Sequence, residues 1–204
     1  TTQQVPLFEN HQHYIDWMHA QLEQQQMRNV RHFWGSVRPN GPERPQQLNR
    51  VELRVCDLVS DPRDLLAITA LAELRLLQLI DRGRSEDPLF SSELSAAELA
   101  ELADHNDQQA ALASLDAELR HWRDGRSISA RQWIQDQLQD LKIWGDEQPA
   151  MAWLDRLPAL LERGNTAMQW LQRHQSGESI SAILSADIAA MEALEQDLLE
   201  GGLG

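Results

Sequence analysis

The run Asn49-Arg-Val-Glu-Leu-Arg-Val-Cys-Asp57 alternates apolar and charged residues at period two, the spacing of a β-strand. On a strand, Val51, Leu53 and Val55 project one way, toward a core, while Glu52, Arg54 and Cys56 project the other way. One carboxylate and one guanidinium therefore share a face. Upstream, Arg31-His-Phe-Trp-Gly-Ser-Val-Arg-Pro39 also reads as a strand. Between the two lies Pro39-Asn-Gly-Pro-Glu-Arg-Pro45, whose prolines and glycine forbid regular structure. Ser60-Asp61-Pro62 then signals a helix, so the order is strand, loop, strand, helix.

Helices dominate the remainder. Asn10 or a neighbour opens one through about Met27, with Tyr14, Ile15, Met18 and Leu22 as its apolar stripe. Asp61 as N-cap, Pro62 at the first helical position and Asp64 in the first turn start a long helix to about Arg82, closed by Gly83. Leu65, Leu66, Ile68, Leu71, Leu74, Leu77 and Ile80 make it apolar over much of its circumference, which predicts burial against the sheet. Beyond Arg84-Ser-Glu-Asp-Pro88, Ser95-Ala-Ala-Glu98 is a capping box, and a short helix runs from it to about Asp104. Further helices are predicted from Asp107 to Arg123, from Ser127 or Ser129 past Trp144, from Pro149 to Gly164, from Thr166 to His174 and from Ser179 to Leu199. Past Cys56 the sequence predicts no strand. The fold class is α+β, mostly α: a short antiparallel sheet fragment followed by a helical bundle, with one domain over 1–83 and a helical portion over 84–204.

Eighteen basic against thirty-two acidic residues leave a net charge of −14. This argues against a nucleic-acid partner and against docking on anionic lipid, since both need a basic face. The single cysteine, Cys56, excludes an internal disulfide framework and a cysteine-rich zinc site, which fits a reducing cytoplasm. No stretch has the uninterrupted apolar length of a membrane span, and the N-terminus lacks the basic and apolar regions of a signal peptide, so the chain reads as soluble and cytoplasmic.

The Ser-Val-Arg-Pro strand end followed by Val-Glu-Leu-Arg-Val-Cys-Asp-Leu resembles the glutamate-cysteine ligase family of ATP-dependent carboxylate-amine ligases, in its bacterial and cyanobacterial branch. The likeness covers about Val30 to Ile80. It implies a glutamine-synthetase-like sheet of which this chain holds the final strands, and it implies ATP and Mg2+ as cofactors. Carried over, it makes Glu52 a magnesium ligand and Arg54 the catalytic phosphate contact. Arg38, in the family's Ile/Val-Arg-Pro position, becomes a clamp for a carboxylate or phosphate. The residue types agree: magnesium takes carboxylate oxygens together with substrate phosphates, and an Arg fork matches phosphate oxygens. The implied substrates are small molecules, glutamate with cysteine or another amine, leading to γ-glutamylcysteine and glutathione. On the residues alone, Glu52 and Arg54 read first as a surface ion pair on a half-solvated strand, and Arg38 is equally a strand-edge residue in solvent.

Members of the family carry a Glu-rich first strand and a His-x-His segment in an N-terminal half. Nothing here matches them; His11-Gln-His13 reads as the exposed first turn of a helix. The chain therefore reads as the C-terminal half of such a ligase, without the N-terminal half of the site. A looser likeness joins Asn106-Asp-Gln-Gln-Ala-Ala-Leu-Ala-Ser-Leu-Asp-Ala117 to a family helix in which Asp107, Gln109 and Leu112 stand where relatives often have arginine. That departure supports a second reading, a non-catalytic helical interaction module that forms a homo-oligomer. Trp122, Trp133, Trp144, Trp153 and Trp170 read as packing residues, while Trp34 and His32 are candidates to line the site or ordinary strand residues. His121 and His174 read as helix-end residues.

Overall fold

The computed structural model describes residues 5–28, 37–39, 51–53, 57–145 and 148–200. It divides into two compact units that alternate along the chain: Thr1–Cys56 with Arg84–Leu112 and Glu118–Ile128, and Asp57–Gly83 with Ala113–Ala117 and Ser129–Gly204.

The first unit opens with α1 (His11–Glu23), capped by the Asn10 carboxamide, which accepts from His13 N. Of the predicted stripe, Tyr14 and Met18 are enclosed with Met27 while Ile15 and Leu22 are half-buried against them, and Phe8 meets the Tyr14 ring edge-on at 5.3 Å. Two short strands follow, β1 (Val37–Pro39) and β2 (Val51–Leu53), paired antiparallel. Asp87 caps α3 (Pro88–Ser91). The capping box forms as predicted at the start of α4 (Ala96–Ala113): Ser95 N donates to Glu98 Oε2 at 2.8 Å and Glu98 N to Ser95 Oγ at 3.3 Å.

The sequence reading fails just beyond this cap. One helix runs to Ala113 where a short one and a break were predicted. The break predicted between Asp104 and Asp107 does not form. Instead the Asn106 carboxamide reaches outward, donating to Arg120 O and accepting from Arg120 N, both at 2.8 Å. The helix predicted through Arg123 ends ten residues early, at Ser114, whose φ of +53° leaves the helical region. In its place stand two strands the sequence reading missed, β3 (Glu118–Arg120) and β4 (Ser127–Ser129), which pair with each other. Their turn is closed by Gly125 at φ +74° and by His121 N donating to Arg126 O at 2.8 Å. Three residues are too few to display a period of two, so neither strand announces itself.

The second unit is built on α2 (Pro62–Arg82), with Asp61 and Gly83 as its caps. α5 (Ala130–Trp144) is capped by Ser129; a 3₁₀ stretch, Pro149–Arg156, leads into α6 (Leu157–Arg163); then come α7 (Thr166–Gln175) and α8 (Ile180–Leu199). Ala67, Ala70 and Leu74 of α2 form a core with Leu115, with Leu138 and Leu141 of α5, with Leu154, and with Leu157, Leu160 and Leu161 of α6. The predicted burial of α2 is thus corrected. Its inner side packs on these helical elements, while Leu65, Leu66, Leu77 and Ile80, counted as core from the pattern, are exposed. Hydrophobic type marks what a helix can bury and not which side finds a neighbour.

Candidate functional site

The β1–β2 ladder sets Arg38 and Glu52 as Cα partners, flanked by Val37 opposite Leu53 and Pro39 opposite Val51. Directly opposed residues in an antiparallel pair lie about 5 Å apart and on one face. Pro39 ends the strand, since proline has no amide hydrogen for the ladder. Two of the three site residues taken from the sequence are thereby brought to one register position from places fourteen residues apart in the chain. Arg54, the residue after Leu53, lies outside the described residues, as do His32, Trp34 and Cys56. Glu52 is half-buried. Leu53, which alternation assigned to a core, is 45% exposed, so the apolar side of this ladder is not closed over at that position.

As a metal site the ladder offers oxygen ligation of the right kind but not enough of it. Among the described residues no three His, Cys, Asp or Glu side chains converge on one point. A hard divalent ion held at Glu52 would draw its further ligands from substrate phosphate and from groups outside that set.

The second stretch of likeness acquires structural work. Asn106 fastens β3 to α4, Leu115 belongs to the helical core, and Asp116 accepts from Arg131 Nε at 2.9 Å. The positions that depart from the family pattern sit differently: Asp107 and Leu112 are exposed on α4, Leu112 by 81%, and Gln109 is half-buried. His11 is exposed in the first turn of α1, as predicted. His174 lies near the end of α7 with Nδ1 3.1 Å from Glu178 O. His121 was assigned to a helix end and instead sits in the β3–β4 turn, its Nδ1 accepting from Arg123 N at 3.2 Å, because the helix assigned to that region is a hairpin. Trp144 and Trp153 lie against the helical core as expected, and the Trp144 and Trp170 indoles donate to Asp81 at 2.9 Å and to Asp187 at 2.6 Å.

Sequence reasoning missed the charged groups that order the second unit. Asp64 is only 5% exposed and accepts from Arg156 at 3.0 Å and from Arg163. Arg156 also reaches Asp61 at 3.0 Å. Burial pushes the Asp61 carboxyl up, but the hydrogen bonds and charge of Arg63, with the charge of Arg156, outweigh it and hold the group below its ordinary range. On the other end of α2, Arg82 grips Asp140 with two bonds, 2.6 and 2.8 Å, and fully buried Gln78 donates to the same carboxylate at 3.2 Å. The Arg82 bonds hold Asp140 below its ordinary range. These clusters are closed ion pairs that tie helices together.

Fold and ladder together define a mostly helical chain with a small antiparallel sheet fragment carrying an opposed Arg and Glu. The chain belongs to glutamate-cysteine ligase family 2: the model of that family matches residues 2–186. Among curated proteins it is similar to one from Gloeobacter violaceus named "Putative glutamate–cysteine ligase 2", 23% identical over 186 residues, which are 90% of this chain and 46% of that protein. The chain thus spans about half the length of the curated relative it matches. No helix among the described residues is long and apolar enough to cross a membrane.

Proposed function

We propose that this chain forms part of an ATP-dependent carboxylate-amine ligase that joins the γ-carboxylate of glutamate to the amine of cysteine, the step that supplies γ-glutamylcysteine for glutathione. The observation that supports this most is the register Arg38 opposite Glu52, in a chain matched to the family over residues 2–186. In the reaction, a carboxylate oxygen of glutamate attacks the γ-phosphorus of ATP and ADP departs. The amine nitrogen then attacks the acyl carbon, phosphate leaves with the bonding pair, and the nitrogen gives up a proton. Glu52 would hold magnesium, which when bound neutralises charge on the phosphates. Arg54 would contact the transferred phosphoryl oxygens, and Arg38 would fix a carboxylate or phosphate with its guanidinium fork. In the complete protein, Glu52→Gln should abolish magnesium-dependent turnover while leaving the fold intact, because the amide keeps the side chain's size and removes its charge. Wild-type turnover in that variant would refute the assignment.

A second reading, a non-catalytic helical module that assembles into an oligomer, draws on α4. Asp107 and Leu112, where relatives often have arginine, face solvent and offer no cation to a substrate. On that reading the complete protein shows no nucleotide affinity at all.

A further inference from the structure

Inside the second unit, a cleft of about 350 Å3 lies between α2 and α5. Ile68, Leu71 and Ala72 line it from α2, and Trp133 and Ile134 from α5. Ile68, Leu71 and Ile134 also pack against the helical core, so the floor of the cleft is the outer side of that core. Its volume falls at the small end of the range that holds small molecules, roughly 300–1,000 Å3. Arg75, one turn past Leu71, and Gln137, one turn past Trp133, complete the lining. Polar groups on the following turn of each helix are satisfied: Arg75 donates to Gln78 Oε1, and Gln78 Nε2 donates to Asp140 at 3.2 Å. Gln137 differs. Its Oε1 is shut off from water, and no donor among the described residues reaches it. An acceptor buried without a donor costs its full desolvation, and native structures keep few of them.

These features set the chemistry of a ligand. Aliphatic side chains and an indole suit a flat hydrocarbon body, which an aromatic ring supplies. An anion is disfavoured, because the Arg75 guanidinium is engaged by Gln78 and the chain carries −14. The unpartnered Oε1 asks for one N–H or O–H. We propose that the α2–α5 cleft is a binding site for a small, uncharged aromatic molecule with a single N–H or O–H donor, which lies against Trp133 and donates to Gln137 Oε1. The last torsion of a glutamine side chain is soft, so the carboxamide turns its oxygen to the ligand as the donor enters. None of the residues involved belongs to β1 or β2, so the site is additional to the ligase reading and stands without it.

Indole is the probe, and 1-methylindole, which has the same ring and no donor, is its control. Both are titrated into the 204-residue chain carrying 13C in the isoleucine δ1 methyls, and the methyl resonances are followed by NMR. Indole should shift Ile68 and Ile134 saturably, while Ile80 and Ile188, exposed and outside the lining, stay in place. 1-Methylindole should bind about tenfold more weakly, the worth of one hydrogen bond. In Gln137→Met, which keeps the side chain's length and removes the acceptor, the two compounds should bind alike. No saturable shift at Ile68 and Ile134, or equal shifts at Ile80 and Ile188, would overturn the site. Equal affinity for the two compounds in the wild-type chain would overturn the role of Gln137, whether or not the variant folds, and so would a preference for indole that survives Gln137→Met.

Discussion

Asp140 is the carboxylate on which the effect of acid can be read. Its pKa lies below the ordinary 3.8, first because Arg82 donates to it, then through the charges of Arg82 and Arg75 and the bond from Gln78, against burial. A folded-state pKa below the unfolded one contributes stability that is fully present above the unfolded value and is lost as pH falls through the folded value. The Asp140→Asn variant should therefore melt below wild type at neutral pH, and the two melting temperatures should converge as pH drops below 3.8. Parallel curves would show that Arg82 does not act through this carboxylate. The cap at Asp61 and the proline after it were legible in the sequence because they act within one turn. Their partner was not: Arg156 bonds Asp64 across 92 residues and Arg163 across 99, and no local pattern carries a contact of that span.

Elements were legible in proportion to their length. The 21 residues of α2 show their caps and period in the sequence, whereas β3 and β4, three residues each, show nothing until Asn106 holds one of them against α4. Asn106 fills both backbone positions of Arg120, its Nδ2 donating to the carbonyl and its Oδ1 accepting from the amide. Alanine there leaves those groups to water, at a cost of about 1 kcal/mol because the site is solvent-accessible. Asn106→Ala should lower urea stability by that amount and speed hydrogen exchange at the Arg120 amide, while the Ser95–Glu98 cap at the far end of α4 keeps its protection. Unchanged exchange at Arg120 would mean that the strand stands without the carboxamide. The same length rule explains the candidate site: β2 was announced by a long alternating run, yet its register with β1, Arg38 opposite Glu52, depends on a loop that alternation cannot count.

At the scale of the whole molecule, the ligase reading makes nucleotide binding a property of more chain than this. Glu52 and Arg38 supply one carboxylate and one guanidinium, while MgATP carries several phosphate charges and a metal that takes six oxygens. Ligand that binds only the folded state raises stability by RT ln(1 + [L]/Kd), about 2.7 kcal/mol at a hundredfold excess over Kd. For the complete protein, saturating MgATP should raise the melting temperature, and Glu52→Gln should remove most of the rise without changing the melting temperature in the absence of nucleotide. The isolated chain, given the same nucleotide, should move little, because its Kd is set by a few contacts. EDTA should erase the shift in the complete protein, since free nucleotide then brings its charge to the site without the bridging cation. A shift that survives both EDTA and Glu52→Gln would place nucleotide elsewhere, and no shift in the complete protein would favour the interaction module. The comparison between whole and part carries the argument: on a chain bearing −14, an anion is held only where local cations and a metal overcome the field of the rest.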